Sequence, residues 1–449
     1  MSKLWDIYNQ IELPLVPIIV AMEEYGAQID QEQVKKLTTT YTIERDRVDK
    51  EIQEMAGYEF NVKSPQQVSD FLFSEKGIGL PIPRIDGRVP ITETGYVSTD
   101  STKVLEQMES HPSIILIREF RMYEKLISTY LVELGNPHPI SGKVHTHFNQ
   151  TRTRSYRLSS SDRLNFQNIP VKTDHGKLLR ATFIGTPGNV IFKADYDQME
   201  LRAETALSRD EAKLAIYEVG GDIHGEAALV AFGNRPDYTE HAKTYRKYTK
   251  NGIFSMLYRS GIGKRSAAMG LTFDETKAFT KAMESLFAGS EAYFHDVVKE
   301  LHKLGYAETL FGHRRHLPHI KSVRKKYVAD AEREGYNHIV QSLCAGIMKR
   351  AMVNLDAEMQ LRGMKSRCFI QVHDELVFDA LPSEVPLLFE LVERVFSDVP
   401  ELDIEMKASS SIGPNWLAAD YDENEIKTDG SNLHAVLERV TNDEQQGSI

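Results

Sequence analysis

Leu13, Val16, Ile19 and Met22 recur at helical spacing and predict a helix over 11–30 that ends near Gly26. Residues 31–56 are densely charged and predict a long exposed helix. From 59 to 100 the Pro, Gly and Thr content rises, marking loops around a short helix at 65–75. A helix at 112–134 is stopped by Gly135-Asn136-Pro137. Strand signals follow at 144–148 and 179–194, and Gly185-Thr186-Pro187-Gly188 predicts a hairpin turn inside the second. Residues 198–218, 240–300 and 323–362 carry mainly helical patterns. A hairpin is predicted over 366–380 round His373-Asp374, then a helix at 384–397 and a strand at 402–409. After Asp420 the chain turns polar, with one amphipathic stretch at 432–440.

Two aspartates close apolar strands. Asp195 ends Val190-Ile191-Phe192-Lys193-Ala194, and Asp374 ends Cys368-Phe369-Ile370-Gln371-Val372-His373, with Glu375 beside it. Either aspartate alone fits a turn former. Against that, His-Asp is a poor tip for a two-residue hairpin. Adjacent strands of one sheet can bring both carboxylates face to face, and Mg²⁺ needs only one or two carboxylates because it keeps several waters. Between them, Arg246, Lys250, Phe254 and Tyr258 recur every fourth residue, a slanting helical stripe roughly 18 Å long. Its cations suit phosphates and its aromatics suit a base or sugar; taken alone it is also an ordinary amphipathic helix. Glu200 begins the next helix, within reach of a sugar hydroxyl or of Tyr258. Carboxylates for divalent metal beside such a stripe are the chemistry of a nucleoside triphosphate.

Other motifs fail. Gly261-Ile262-Gly263-Lys264-Arg265-Ser266 lacks a phosphate loop's first glycine, since Tyr258 stands there. His313, His316 and His319 lie among arginines whose field repels a metal, so phosphate contact is the expectation for them.

Composition narrows the class. Two cysteines, Cys344 and Cys368, imply no disulfide framework and a reducing, cytoplasmic compartment. The start lacks an apolar signal segment, and no apolar run is long enough for a bilayer, so no membrane partner is expected. Net charge of −11 argues against a nucleic-acid binder, but phosphate affinity follows the local field. Cations cluster at Arg152, Arg154 and Arg157, at His313-Arg314-Arg315-His316, and at Lys321, Arg324, Lys325 and Lys326.

Together these segments resemble the family A DNA polymerases, the group of bacterial DNA polymerase I. Asp195-Tyr196-Asp197-Gln198-Met199-Glu200-Leu201-Arg202 resembles the family's first metal motif, and Gln371-Val372-His373-Asp374-Glu375-Leu376-Val377 its second. Arg246 to Tyr258 resembles its fingers helix. Lys125-Leu126, Arg157-Leu158-Ser159-Ser160, Gln167-Asn168-Ile169-Pro170, Asp222-Ile223-His224, Thr309-Leu310-Phe311-Gly312 and Asn337 with Gln341 also match, in order. The resemblance implies an α+β right-hand fold with an antiparallel palm sheet and helical fingers and thumb. Residues 1–30 would lead into the palm, 31–140 form the thumb, and 141–205 the palm with the first metal motif. Residues 206–335 would form the fingers, 336–420 the palm with the second motif, and 421–449 a polar tail.

The implied activity is template-directed addition of dNTPs to a primer 3′-hydroxyl by a monomer. Asp195, Asp374 and the Tyr196 carbonyl would hold two Mg²⁺ ions, with Mn²⁺ able to substitute and Glu375 in support. Arg246, Lys250 and His224 would grip the triphosphate, with Gln198 alongside; Phe254 would stack on the nucleotide and Tyr258 guard the template. Glu200 would gate against a 2′-hydroxyl. Arg157, Lys125, Asn168, Asn337, Gln341 and His373 would contact primer–template DNA. With only about ten residues ahead of the resembling region, the expectation is no proofreading, with a separate nuclease or processivity factor as possible partner.

The sequence departs from the family at Tyr156, Ser255 and Arg259, which stand where it has glycine, at Asp197, expected to cap the next helix, and by one insertion around Arg163-Leu164. Rival readings are a single-subunit RNA polymerase, disfavoured by Glu200, and a non-catalytic DNA-binding scaffold, disfavoured by retention of both aspartates and the whole stripe.

Overall fold

The computed structural model describes residues 3–445 apart from 86, 162, 163 and 172. The insertion expected at Arg163 therefore falls outside the described residues.

A five-stranded antiparallel sheet organises the molecule. Its order is Arg367–Val372, Glu375–Ala380, Val190–Tyr196, Ala408–Gly413, Glu425–Ile426. Alternation along the central strand sends Val190, Phe192 and Ala194 to one face and Ile191 to the other. Both faces are covered, which is why these strands read as unbroken apolar runs. The first face packs on Leu13–Tyr25, on the 37-residue helix Lys325–Leu361 and on Val385–Ser397. The second shares a core with Gln31–Ala56 and Pro112–Lys125.

Helix ends follow their local chemistry. Asp30 caps Gln31–Ala56 by accepting from the amides of Glu32 and Gln33, both at 2.9 Å, and Gly57 closes it at φ 73°. That helix is not simply exposed: Val34, Leu37, Tyr41, Val48 and Ile52 are buried along one stripe. A separate helical cluster, built round Tyr217, Phe232, Tyr245, Phe279 and Met283, lies between the two halves of the sheet in sequence.

Three expectations fail. The hairpin over 179–194 does not form: Asp174–Arg180 is a helix, capped by Thr173, and only Val190–Tyr196 is a strand. Phe183 and Ile184 make single bridges, to Ile29 and Asn415. The strand placed at 402–409 lies at Ala408–Gly413, where burial on the sheet outweighs the weak strand preference of Ser409-Ser410-Ser411. The polar tail is part of the body. Glu425–Ile426 pairs with Ala408–Gly413, and Leu433–Gln445 buries Leu433, Val436 and Val440 in the main core.

Candidate active site

The central strand sets the carboxylates. Asp195 stands opposite Glu375 in register, and the Tyr196 amide donates to the Asp374 carbonyl at 3.1 Å. The turn linking the two hairpin strands is closed by His373 at φ 57°, a left-handed conformation unusual outside glycine and asparagine. Gln371 steadies it by donating to the His373 carbonyl at 2.7 Å, while Gln167 bonds the Gln371 carbonyl and side chain, both at 3.0 Å.

Burial pushes Asp195 well above the ordinary carboxylate range, and the charges of Asp374, Glu375 and Asp197 add to the shift. Asp374 is raised too, chiefly by burial. One oxygen of Asp195, Oδ1, is buried without a hydrogen-bond partner. An unsatisfied carboxylate oxygen beside a second carboxylate is costly unless a cation completes it, so these residues fit a divalent metal. Among the described residues no cluster of three or more acids, histidines or cysteines with metal-binding geometry exists; the fit is to an ion that keeps its waters.

Glu375 is engaged differently. Trp416 Nε1 donates to it at 2.9 Å, and Lys193 lies 3.6 Å away while also bonding Asp420. It braces the sheet behind Asp195. Asp197 does not cap the following helix: Gln198 occupies the cap position without a side-chain bond, and the Asp197 carboxylate instead accepts from Ser409 Oγ. The strand ends at Tyr196, yet Asp197 in the turn beyond it still adds to the negative field on Asp195. Gln198, at φ 51°, accepts from the Tyr217 hydroxyl at 3.3 Å.

The stripe of Arg246, Lys250, Phe254 and Tyr258 lies on Tyr238–Leu257, kinked at His241, with Tyr258 as its C-terminal cap. Arg246 is held by Asp222 through two bonds, 2.5 and 3.1 Å. Lys250 is exposed and has no ion pair among the described residues. His224, 2% exposed, stacks on Phe254 with ring centres 6.1 Å apart. Burial lowers its pKa to about 4, so the imidazole is neutral at pH 7. At the end of the stripe Glu200, 8% exposed, accepts from both the Tyr258 hydroxyl and Arg157. Asn337 donates to the Tyr258 carbonyl at 3.4 Å, and Gln341 lies near the Tyr258 hydroxyl.

Arg157, Asn337, Gln341 and Glu200 are thus brought together round Tyr258, and His373, its pKa lowered chiefly by burial, lies close enough for the Arg157 charge to add to that shift. Lys125 and Asn168 stand apart: both are exposed and share no hydrogen bond or ion pair with this group among the described residues. His313 is not a phosphate contact. It is 1% exposed and packs under Tyr156 at 4.3 Å; His316 and His319 are exposed.

Two family-glycine positions keep the glycine conformation: Tyr156 has φ 58° and Arg259 φ 52°. Arg259 lies over the Phe294 ring at 4.0 Å and pairs with Glu291 at 2.6 Å. Sequence reasoning missed these anchors, and missed Asp222 as the partner of Arg246, although its cap position before Ile223–Phe232 was a readable signal.

Comparison with known proteins gives the family and the fold. The family described as DNA polymerase family A matches residues 31–418. The chain belongs to that family, and its fold is the family's right-hand α+β architecture. It is 34% identical to DNA polymerase I of Bacillus subtilis over 92% of this chain and 46% of that protein. With the thermostable DNA polymerase I of Thermus aquaticus it shares 35% identity over 93% of this chain and 49% of that protein. The chain spans about half the length of the curated relatives it matches. A solved structure described as the POL domain of Pol1 from M. smegmatis in complex with DNA primer-template and dNTP superposes with TM-score 0.82 at 29% identity, covering 92% of this chain and 71% of that one.

Proposed function

We propose that this chain is a DNA-directed DNA polymerase that adds dNTPs to a primer 3′-hydroxyl and releases pyrophosphate. The observation that carries the reading is Asp195 Oδ1, buried and unpartnered beside Asp374 at the strand ends. In this reading 141–205 and 336–420 form the palm, 206–335 the fingers and 31–140 the thumb.

Two Mg²⁺ ions held by Asp195, Asp374 and the Tyr196 carbonyl would supply neutralisation of the triphosphate and activation of the 3′-hydroxyl when bound. The protein's own groups position the rest. Arg246, oriented by Asp222, and exposed Lys250 receive the β- and γ-phosphates and hold the pyrophosphate as it leaves. Phe254, backed by neutral His224, presents a flat face to the nucleotide. Glu200, fixed by Tyr258 and Arg157, fills the space where a ribose 2′-hydroxyl would project. Arg157, Asn337, Gln341 and His373 face the minor groove, whose acceptors are nearly alike for every correct pair, so they test shape rather than sequence.

Extension of a labelled primer–template with Mg²⁺ and dNTPs, beside Asp374→Ala, tests this. Wild-type extension lost in the variant is the expected result. Tight binding of primer–template without extension by either protein would replace the enzyme with a DNA-binding scaffold.

A further inference from the structure

The loop between the short hairpin Tyr306–Glu308/Arg314–His316 and the helix Lys325–Leu361 is absorbed by none of the roles above. Leu317 and Ile320 are buried and pin it to the core, so its outer side is a fixed shelf. On that side His319 and Tyr327 face each other with ring centres 5.5 Å apart, and Tyr327 is 40% exposed. Arg324 bonds the Tyr327 hydroxyl at 3.2 Å and lies over its ring at 5.5 Å. Lys321, Lys325 and Lys326 flank the pair along the chain, all exposed, and with Arg324 none is in an ion pair among the described residues. In a chain of net charge −11, a group of unneutralised cations round an exposed aromatic pair is a local reversal of field.

One cation of the shelf, Lys326, is aligned with the active site. At 100° per residue, Lys326, Arg333 and Asn337 fall within about 20° of one line along the helix. Asn337 is the residue bonded to the Tyr258 carbonyl. Lys326 therefore lies on the same side, about 16 Å further along, a span of roughly five stacked nucleotides at 3.4 Å each.

We propose that this shelf binds unpaired template strand ahead of the nascent base pair, with bases stacking on Tyr327 and phosphates met by Lys321, Arg324, Lys325 and Lys326. Cations alone would suit a duplex equally well. An exposed aromatic face does not, because paired bases are already stacked on each other, whereas a single strand offers free faces. The proposal rests on the polymerase reading for its direction, and on the shelf chemistry for its ligand.

The experiment measures, by fluorescence anisotropy, the affinity of the full chain for primer–templates with 5′ template overhangs of one and eight nucleotides. Wild type should bind the longer overhang about tenfold more tightly. Tyr327→Ala should lose most of that gain, about fivefold or more, while Tyr327→Phe keeps it. Lys325→Gln and Lys326→Gln should each lower the salt slope on the long overhang by about 0.7. Incorporation opposite a one-nucleotide overhang should be unchanged in all four. No overhang preference in wild type, or equal loss on both overhangs in Tyr327→Ala, overturns the proposal. If wild type shows the preference but never extends a primer, the polymerase reading fails and the single-strand site stands.

Discussion

The Tyr258 hydroxyl and the Arg157 guanidinium converge on the two oxygens of one carboxylate, that of Glu200. This joins the end of the nucleotide stripe to the segment ahead of the central strand, and it fixes Glu200 in one rotamer with little room beside it. In the proposed reading, a carboxylate so held would discriminate by shape. Glu200→Ala should raise ribonucleotide incorporation relative to dNTP by about tenfold or more, roughly 1.4 kcal/mol of selectivity. Competition between the two nucleotides in a gel extension assay measures it, and an unchanged ratio removes the gate.

Asp195 is more useful than it is stable. Its raised pKa means that the charged form costs folding free energy at every pH above the unfolded value. Asp195→Asn should therefore raise the melting temperature of metal-free protein at pH 7, by about 2 °C or more. Mg²⁺ should raise the melting temperature of wild type and leave the variant unmoved. A variant that melts lower, or that still responds to Mg²⁺, contradicts the assignment.

Arg259 sets backbone strain against contacts. The left-handed conformation costs a non-glycine residue about 1 kcal/mol or more, while the Phe294 stack and Glu291 pair repay it. Arg259→Ala keeps the strain and loses the contacts; Arg259→Gly loses both. The glycine variant should be the more stable of the two, by about 1 kcal/mol in chemical denaturation. The reverse order would show that φ 52° carries no penalty here.

Three buried histidines hold the fold neutral. Burial lowers His313 to about 3, and His224 and His338 to about 4. As pH falls below 6.5 the unfolded chain takes up protons that the native one refuses, so stability is lost by about 1.4 kcal/mol per pH unit for each. Chemical denaturation at pH 6.5 and 4.5 should show a shallower loss for His313→Asn than for wild type, whatever the starting stability of the variant. Parallel losses would mean that His313 protonates freely in the native protein.

The two aspartates and the stripe were readable because each is a local pattern: an apolar run ending in charge, or a period of four. Pairings between distant segments were not. Nothing near Asp197 announces Ser409, and nothing near Glu375 announces Trp416. The mistaken hairpin at 179–194 came from treating Leu179 and Phe183 as strand, although Thr173 capping Asp174–Arg180 is a helix signal. Ser409-Ser410-Ser411 could not be read as strand, since its place is decided by the partner it meets. The tail misled because its four buried apolar side chains, Ile426, Leu433, Val436 and Val440, are few and widely spaced among charges.

That tail supplies the last prediction. Val436 is 3% exposed against the main core, so Val436→Asp buries an unpaired charge and should cost about 3 kcal/mol in thermal or chemical denaturation. A loss under 1 kcal/mol would mean that Leu433–Gln445 is not docked in solution.

The pairing of Glu425–Ile426 with Ala408–Gly413 has a consequence for how copies of the molecule meet one another. A sheet margin with free amides and carbonyls is a template on which a second chain can add strands. Two residues of cover, backed by an anchored helix, interrupt that margin where serines give it no charge of its own. This segment thus shortens the stretch of that margin on which another strand could add, a colloidal duty quite separate from anything the carboxylates do.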